Sequence, residues 1–275
     1  MKKVALIVGL VALVVVGAQS QVLLSSGYTY AQNFDSLSNS ITGTTTPWAD
    51  NSTLVGWYAS RAISTSGANY GPFAYTSYRV NSGNNNSGWI HSLGTDSDRA
   101  LGSVSSGTPG TNAIGLQFQN DTGTAWTGDV SISYTGEQWR NGGNTSIQSI
   151  LKFDWTIVVG PFLPPFPAIT NPPGWYPIPG LPVPGLDLIS PTVGATATAL
   201  DGNASANKVS LSATLTGITL NAGDELLLRW HDINDAGNDH GGGIDDLTVQ
   251  FIPEPVSAAL VGLGVLGLAF WRRRK

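Results

Sequence analysis

The chain has 275 residues, 34 glycines, 16 prolines and no cysteine, with 13 basic and 18 acidic side chains giving a formal net charge of −5. Without cysteine a disulfide-stapled fold is excluded, and a chain of this length rests instead on one hydrophobic core. Between Gln21 and Pro255 only seven cations face all eighteen acids, a net −11, and no basic patch occurs, so nucleic acid is excluded as a natural partner.

At the start, Lys2-Lys3 precede an apolar run from Val4 to Val16, and Ala18-Gln19-Ser20 supplies the small residues that a signal peptidase reads. Residues 1–20 are therefore expected to form a signal helix, cleaved before Gln21 by signal peptidase. A retained N-terminal anchor would need a longer apolar run.

The body then alternates with period two. Ile114, Leu116 and Phe118 form one such row; Val130, Ile132 and Tyr134 another; Phe153, Trp155 and Ile157 a third. Past the middle come Val209, Leu211, Ala213 and Leu215, then Leu226, Leu228 and Trp230, then Leu247, Val249 and Phe251. Alternation puts these side chains on a buried face and the Ser, Thr and Asn between them in water, the pattern of antiparallel sheets. The expected fold is all-β, an antiparallel jelly-roll-like β-sandwich spanning 21–251. An insert from Gly160 to Pro191 interrupts it with eleven of the sixteen prolines, and proline cannot donate to a strand ladder.

The chain closes on Pro253-Glu254-Pro255, an uncharged run from Val256 to Trp271, and Arg272-Arg273-Arg274-Lys275. Residues 256–271 are expected to form a single transmembrane helix, with the basic tail 272–275 held on the cytoplasmic side. Sixteen residues rise about 24 Å against a hydrocarbon core of about 30 Å, short for a lasting anchor. Gly262, Gly264 and Gly267 give the helix a slim face for a partner helix. The stretch 252–275 resembles the PEP-CTERM sorting signal of Gram-negative bacteria. That resemblance implies Pro253, Glu254, Pro255, Arg272, Arg273 and Arg274 as the sorting motif and an exosortase-type membrane protease as partner. It implies transient anchoring in the inner membrane, then release to the cell surface or extracellular matrix. An ordinary tail anchor is the other reading.

The body also resembles secreted bacterial β-sandwich modules found on PEP-CTERM proteins and appended to some extracellular hydrolases. The resemblance lies in Gln32–Leu37, Trp57-Tyr58, Ser97–Gly102, Tyr134–Arg140, Arg229–His240 and Ile244–Leu247. Similarity to jelly-roll modules of the concanavalin-like and MAM kind implies that the Phe34-Asp35 strand neighbours the Ile244-Asp245-Asp246 strand, bringing Asp35 near Asp245 or Asp246.

Three constellations suggest chemistry. Asp232, Asp235, Asn238, Asp239, Asp245 and Asp246, with Asp35 from the implied pairing, offer hard oxygen ligands for a structural Ca²⁺. Ala236 and Gly243 occupy two ligand positions of the EF-hand loop, so that loop is excluded, and side chains capping local turns is the alternative. Glu137 beside Trp139 and Arg140, with Asp98-Arg99, invites comparison with the paired carboxyls of glycoside hydrolysis. His91, His231 and His240 have no zinc spacing, and no Gly-x-Ser-x-Gly elbow or phosphate loop occurs. Trp48, Trp57, Trp89, Trp126 and Trp175 lie among polar turn residues and are the candidates to stack on sugar rings. The expected function is a non-catalytic exported surface or matrix protein that binds polysaccharide. The alternatives are a secreted hydrolase acting on matrix polysaccharide and a purely structural protein.

Overall fold

A computed structural model describes residues 22–40, 44–63, 70–160 and 181–254. The signal segment 1–20, most of the proline-rich insert with Trp175, and Pro255 through the basic tail with Arg272, Arg273 and Arg274 lie outside the described residues. Among the described residues no helix is long and apolar enough to cross a membrane.

In chain order the strands are β1 (Val22–Leu23), β2 (Thr29–Gln32), β3 (Thr45–Pro47), β4 (Trp57–Ile63), β5 (Tyr70–Ala74) and β6 (Ser77–Asn81). There follow β7 (Trp89–Leu93), β8 (Ala100–Val104), β9 (Asn112–Gln119), β10 (Trp126–Asn141), β11 (Ile150–Val158) and β12 (Leu181–Pro182). The last are β13 (Leu188–Ile189), β14 (Thr198–Ala199), β15 (Lys208–Leu220), β16 (Glu225–Asp232) and β17 (Gly241–Pro253). They make two sheets. One runs β12-β11-β16-β9-β4-β5, with β1 beside β9 and β13 beside β11; the other runs β14-β10-β17-β8-β7-β6-β3, with β15 beside β10 and β2 beside β17.

The expected all-β sandwich is therefore present. Its pairing is mixed rather than wholly antiparallel, since β1 joins β9 and β6 joins β7 in parallel. The turn after β6 is built locally: the Asn81 side-chain oxygen accepts from the backbone N–H of Gly83 and Asn85, at 2.9 and 3.1 Å. Such side-chain-to-backbone bonds fold a loop tightly without a helix.

The alternating rows meet between the sheets. Ile114, Leu116 and Phe118 of β9, Leu226, Leu228 and Trp230 of β16, Val130, Ile132 and Tyr134 of β10, and Leu247, Val249 and Phe251 of β17 are buried in one cluster. Aromatic rings join the layers. Trp57 of β4 stacks on Trp230 at 5.7 Å, and Phe34, Tyr134 and Phe153 meet these two rings edge-on at 5.0–5.7 Å. Edge-on packing suits rings with negative faces and positive edges.

The expected neighbouring of a Phe34-Asp35 strand and the Ile244-Asp245-Asp246 strand is corrected, since β1 pairs β9 and another early strand reaches β17. The contact is made by β2, with Gln32 opposite Leu247, so Phe34 and Asp35 lie just beyond it in a turn. Phe34, at φ 57°, drops its ring into the core, and Asp35 instead accepts the backbone N–H of Arg99 at 3.1 Å. It is Asn33 that shares a surface hollow with Asp246. β17 continues through Pro253, opposite Gly128, and the Glu254 N–H donates to the Thr127 carbonyl at 3.1 Å. The first two residues of the expected sorting motif thus extend the sheet.

Candidate functional site

The acids expected at one Ca²⁺ site fall into separate neighbourhoods, Asp232 with Asp235 and Asp239, and Asp245 with Asp246, and among the described residues no three His, Asp or Glu side chains form a metal-holding group. Asp232 ends β16 within the body of the sandwich, where its Oδ2 accepts Ser103 Oγ and its carbonyl accepts Ser105 Oγ, both at 2.6 Å. Asp245 follows core residue Ile244 on β17 and so faces outward, with Asp246 next to it at φ 50°. Asp35 belongs to the Arg99 turn. Asp235 and Asp239 close their own turn, the Asp235 N–H donating to Asp239 Oδ1 at 2.8 Å. Burial, with Asp239 and Asp235 nearby, pushes the Asp232 carboxyl up to about 7; burial does the same for Asp239.

Glu137 and Asp245 share the outer face of the second sheet. Glu137 is 2 % exposed, accepts Trp139 Nε1 at 2.8 Å, and burial lifts its pKa to about 7. Asp245 is 3 % exposed and lifted to about 8, first by burial and then by the charges of Asp246, Glu137 and Asp98. Trp139 is sealed between Leu93 and Ala100, and the 200–207 loop lies over its indole. That loop fits because residue 202 is glycine: a Cβ there would stand 2.3 Å from the ring.

The stacking candidates are mostly core. Trp48, Trp57 and Trp126 are 3 %, 0 % and 5 % exposed, which corrects the expectation that they form a sugar platform. Polar neighbours in sequence mislead here: the turns are polar, but each ring points between the sheets. Trp89 is half-buried, and its ring is covered by the guanidinium groups of Arg61 and Arg79 at 5.4 and 5.6 Å.

An open cleft of about 150 Å³ lies beside the Asp239 turn, lined among others by Asn86, Ser105, Ser106, Arg140, Asn238 and Asp239. The end of β10 supplies Arg140, whose Nη1 donates to the Gly83 carbonyl at 3.0 Å. The β16–β17 turn supplies Asn238 and Asp239, held by Asn144 Nδ2 donating to the Ala236 carbonyl at 3.0 Å. Arg140 and Asp239 both line the cleft, Asp239 at its buried side with 6 % of its surface exposed. Of these residues the sequence singles out Arg140, Asn238 and Asp239. Asn86, Ser105 and Ser106 belong to loops distant in sequence, and the nearest signal is the amide run Asn84-Asn85-Asn86.

Beneath the cleft a void of about 10 Å³ is lined by Gln138, Ser149, Asp232 and His240. His240 Nδ1 accepts the Gly142 N–H at 3.3 Å, which turns Nε2 away from the Gly142 loop. Among the described residues that buried Nε2 has no hydrogen-bond partner.

No family model matches the chain, and no curated protein matches it. Among solved structures it is similar to TmCBM61 in complex with β-1,4-galactotriose, at 8 % identity over 56 % of this chain and 72 % of that one, with a TM-score of 0.27. It is similar to the K3 cleaved adhesin domain of Lys-gingipain from Porphyromonas gingivalis, at 12 % identity over 73 % and 96 %, with a TM-score of 0.31. The CBM22-1 xylan-binding domain of Paenibacillus barcinonensis Xyn10C is similar at 10 % identity over 78 % and 99 %, also with a TM-score of 0.31.

Proposed function

We propose that this chain is an exported, non-catalytic surface or matrix protein that binds polysaccharide in the Arg140–Asp239 cleft and is sorted by its C-terminal tail. The observation behind the binding reading is the cleft's chemistry: amides of Asn86 and Asn238, hydroxyls of Ser105 and Ser106, one guanidinium and one carboxyl, all unlike the apolar walls of a lipid or cofactor pocket. Such groups match the donor–acceptor pairs on adjacent sugar hydroxyls. Surface display rests on the tripartite tail. Because Pro253 and Glu254 are held against β10, a cut beyond them leaves the sandwich whole.

A glycan array with the full chain should yield a polysaccharide whose affinity falls about tenfold in Arg140→Ala and in Asn238→Ala, the size of one lost polar contact. Reducing-sugar release from the same polysaccharide should stay at background. Turnover that disappears in Glu137→Gln would sink the binding reading in favour of a hydrolase. For the sorting reading, mass spectrometry should find the mature C-terminus near Pro255, and removing Arg272–Lys275 should retain the uncut protein in the membrane.

A further inference from the structure

The edges of the two sheets are guarded unequally. β3 has three residues and ends in Pro47; β5 contains Pro72; β12 and β13 have two residues each, the former with Pro182. Short edge strands and prolines are how natural sheets avoid pairing with other chains. β15 differs on every count, with thirteen residues, no proline, no acid and a single charge, Lys208, at its first position.

β15 is bonded along one side to β10, and among the described residues no strand pairs with its other side. A bulge at Thr216-Gly217, with Gly217 at φ 65°, bends its far end, leaving Lys208–Leu215 as regular free edge. The outward row there is Ser210, Ser212 and Thr214, exposed and neutral. The inward row is incompletely covered: Val209 is 36 % exposed, and Leu211 and Ala213 are half-buried.

We propose that this edge pairs with the same edge of a second copy of the chain, antiparallel about a two-fold axis near Ser212, joining two sandwiches through one continuous sheet. A two-fold axis normal to the sheet keeps both inward rows on the same side, so Val209 lies beside Leu215 of the second copy and Leu211 beside its Ala213. That completes the cover of the half-exposed row. Charge selects the direction. Parallel pairing would set Lys208 beside Lys208, whereas this arrangement sets each opposite Thr216 of the other copy, with the two ammonium groups about 27 Å apart and beyond the screening length of about 8 Å. A body of net charge −11 would repel its own copy at most faces, but no acid lies on this strand. One self-complementary patch suffices for such a dimer.

Because the chain has no cysteine, single thiols report the register directly. In full-length protein in detergent, Ser212→Cys should oxidise to a disulfide-linked dimer. Ser210→Cys, whose counterpart would stand about 14 Å away, should not. Ser212→Lys, which sets like charges face to face, should convert a sedimenting dimer to a monomer with an unchanged melting temperature. Equal cross-linking of both cysteine variants, a wild-type monomer at 100 µM total chain (a chosen test concentration, roughly the range of weak dimers), or a Ser212→Lys protein that stays dimeric would each overturn the proposal.

Discussion

On the outward face of the first sheet, Arg229 and Asp154 form a two-pronged pair, with Nε donating to Oδ1 at 2.7 Å and Nη2 bonded to Oδ2. Both side chains are under one-tenth exposed, and His231 sits 3.6 Å from the same carboxylate. Burial, together with the Arg229 and Lys152 charges, lowers the His231 pKa to about 3, so the ring is neutral and Arg229 alone balances the acid. Asp154→Ala leaves a buried guanidinium without its counter-ion, and should cost about 3–5 kcal/mol in urea denaturation. Arg99 is the opposite case. It is 1 % exposed but held by neutral oxygens, with Nε donating to Ser92 Oγ at 2.9 Å and Nη1 to the Asp96 carbonyl at 3.3 Å. The sequence showed both as arginines near acids and offered no way to tell them apart.

Where β8 crosses the glycine-rich start of β17, Gly102 faces Gly243 and the strands come together closely. A Cβ on residue 102 would stand 2.1 Å from the Gly242 carbonyl oxygen and 2.5 Å from the Gly243 Cα. Backbone cannot yield as a side-chain tip can, so Gly102→Ala should cost about 1–3 kcal/mol or more. Gly107→Ala, in open space, is the matched control and should lie within about 0.5 kcal/mol of wild type. Chemical denaturation of the pair separates close strand approach from any general effect of replacing glycine. Glycine runs usually mark turns, yet Gly241-Gly242-Gly243 opens β17. In the fold it is strand, since only hydrogen side chains let the neighbouring backbone so near.

Among the described residues, burial raises several carboxyls, most strongly Glu137, Asp232 and Asp239 to about 7 and Asp245 to about 8. In the unfolded chain these groups lose their protons near 4. The folded chain therefore binds more protons between about pH 4 and pH 8, and its stability falls as pH rises through that window. His91 and His231, lowered to about 4 and about 3 by burial, act in the other direction, but only below about 6.5 where the unfolded rings titrate. The decline should be clearest from pH 6.5 to 8 in calorimetry, and Glu137→Gln should make it shallower. A melting temperature that rises over this range would contradict the burial of these acids. How much of this was legible differs by level. The sequence by itself determined the sheet-forming rows, because period-two alternation reports a buried face wherever it occurs, and it determined the single cysteine-free core. It also marked Glu137, Arg140 and the Asp232–Asp246 segment as chemically dense. Only the tertiary structure decided that Glu137 and Asp245 are buried, that Trp48, Trp57 and Trp126 are core, and that Arg140 meets Asn86, Ser105 and Asp239 across a cleft. Those outcomes depend on which distant loops come to rest on a given face, and local periodicity contains no information about that.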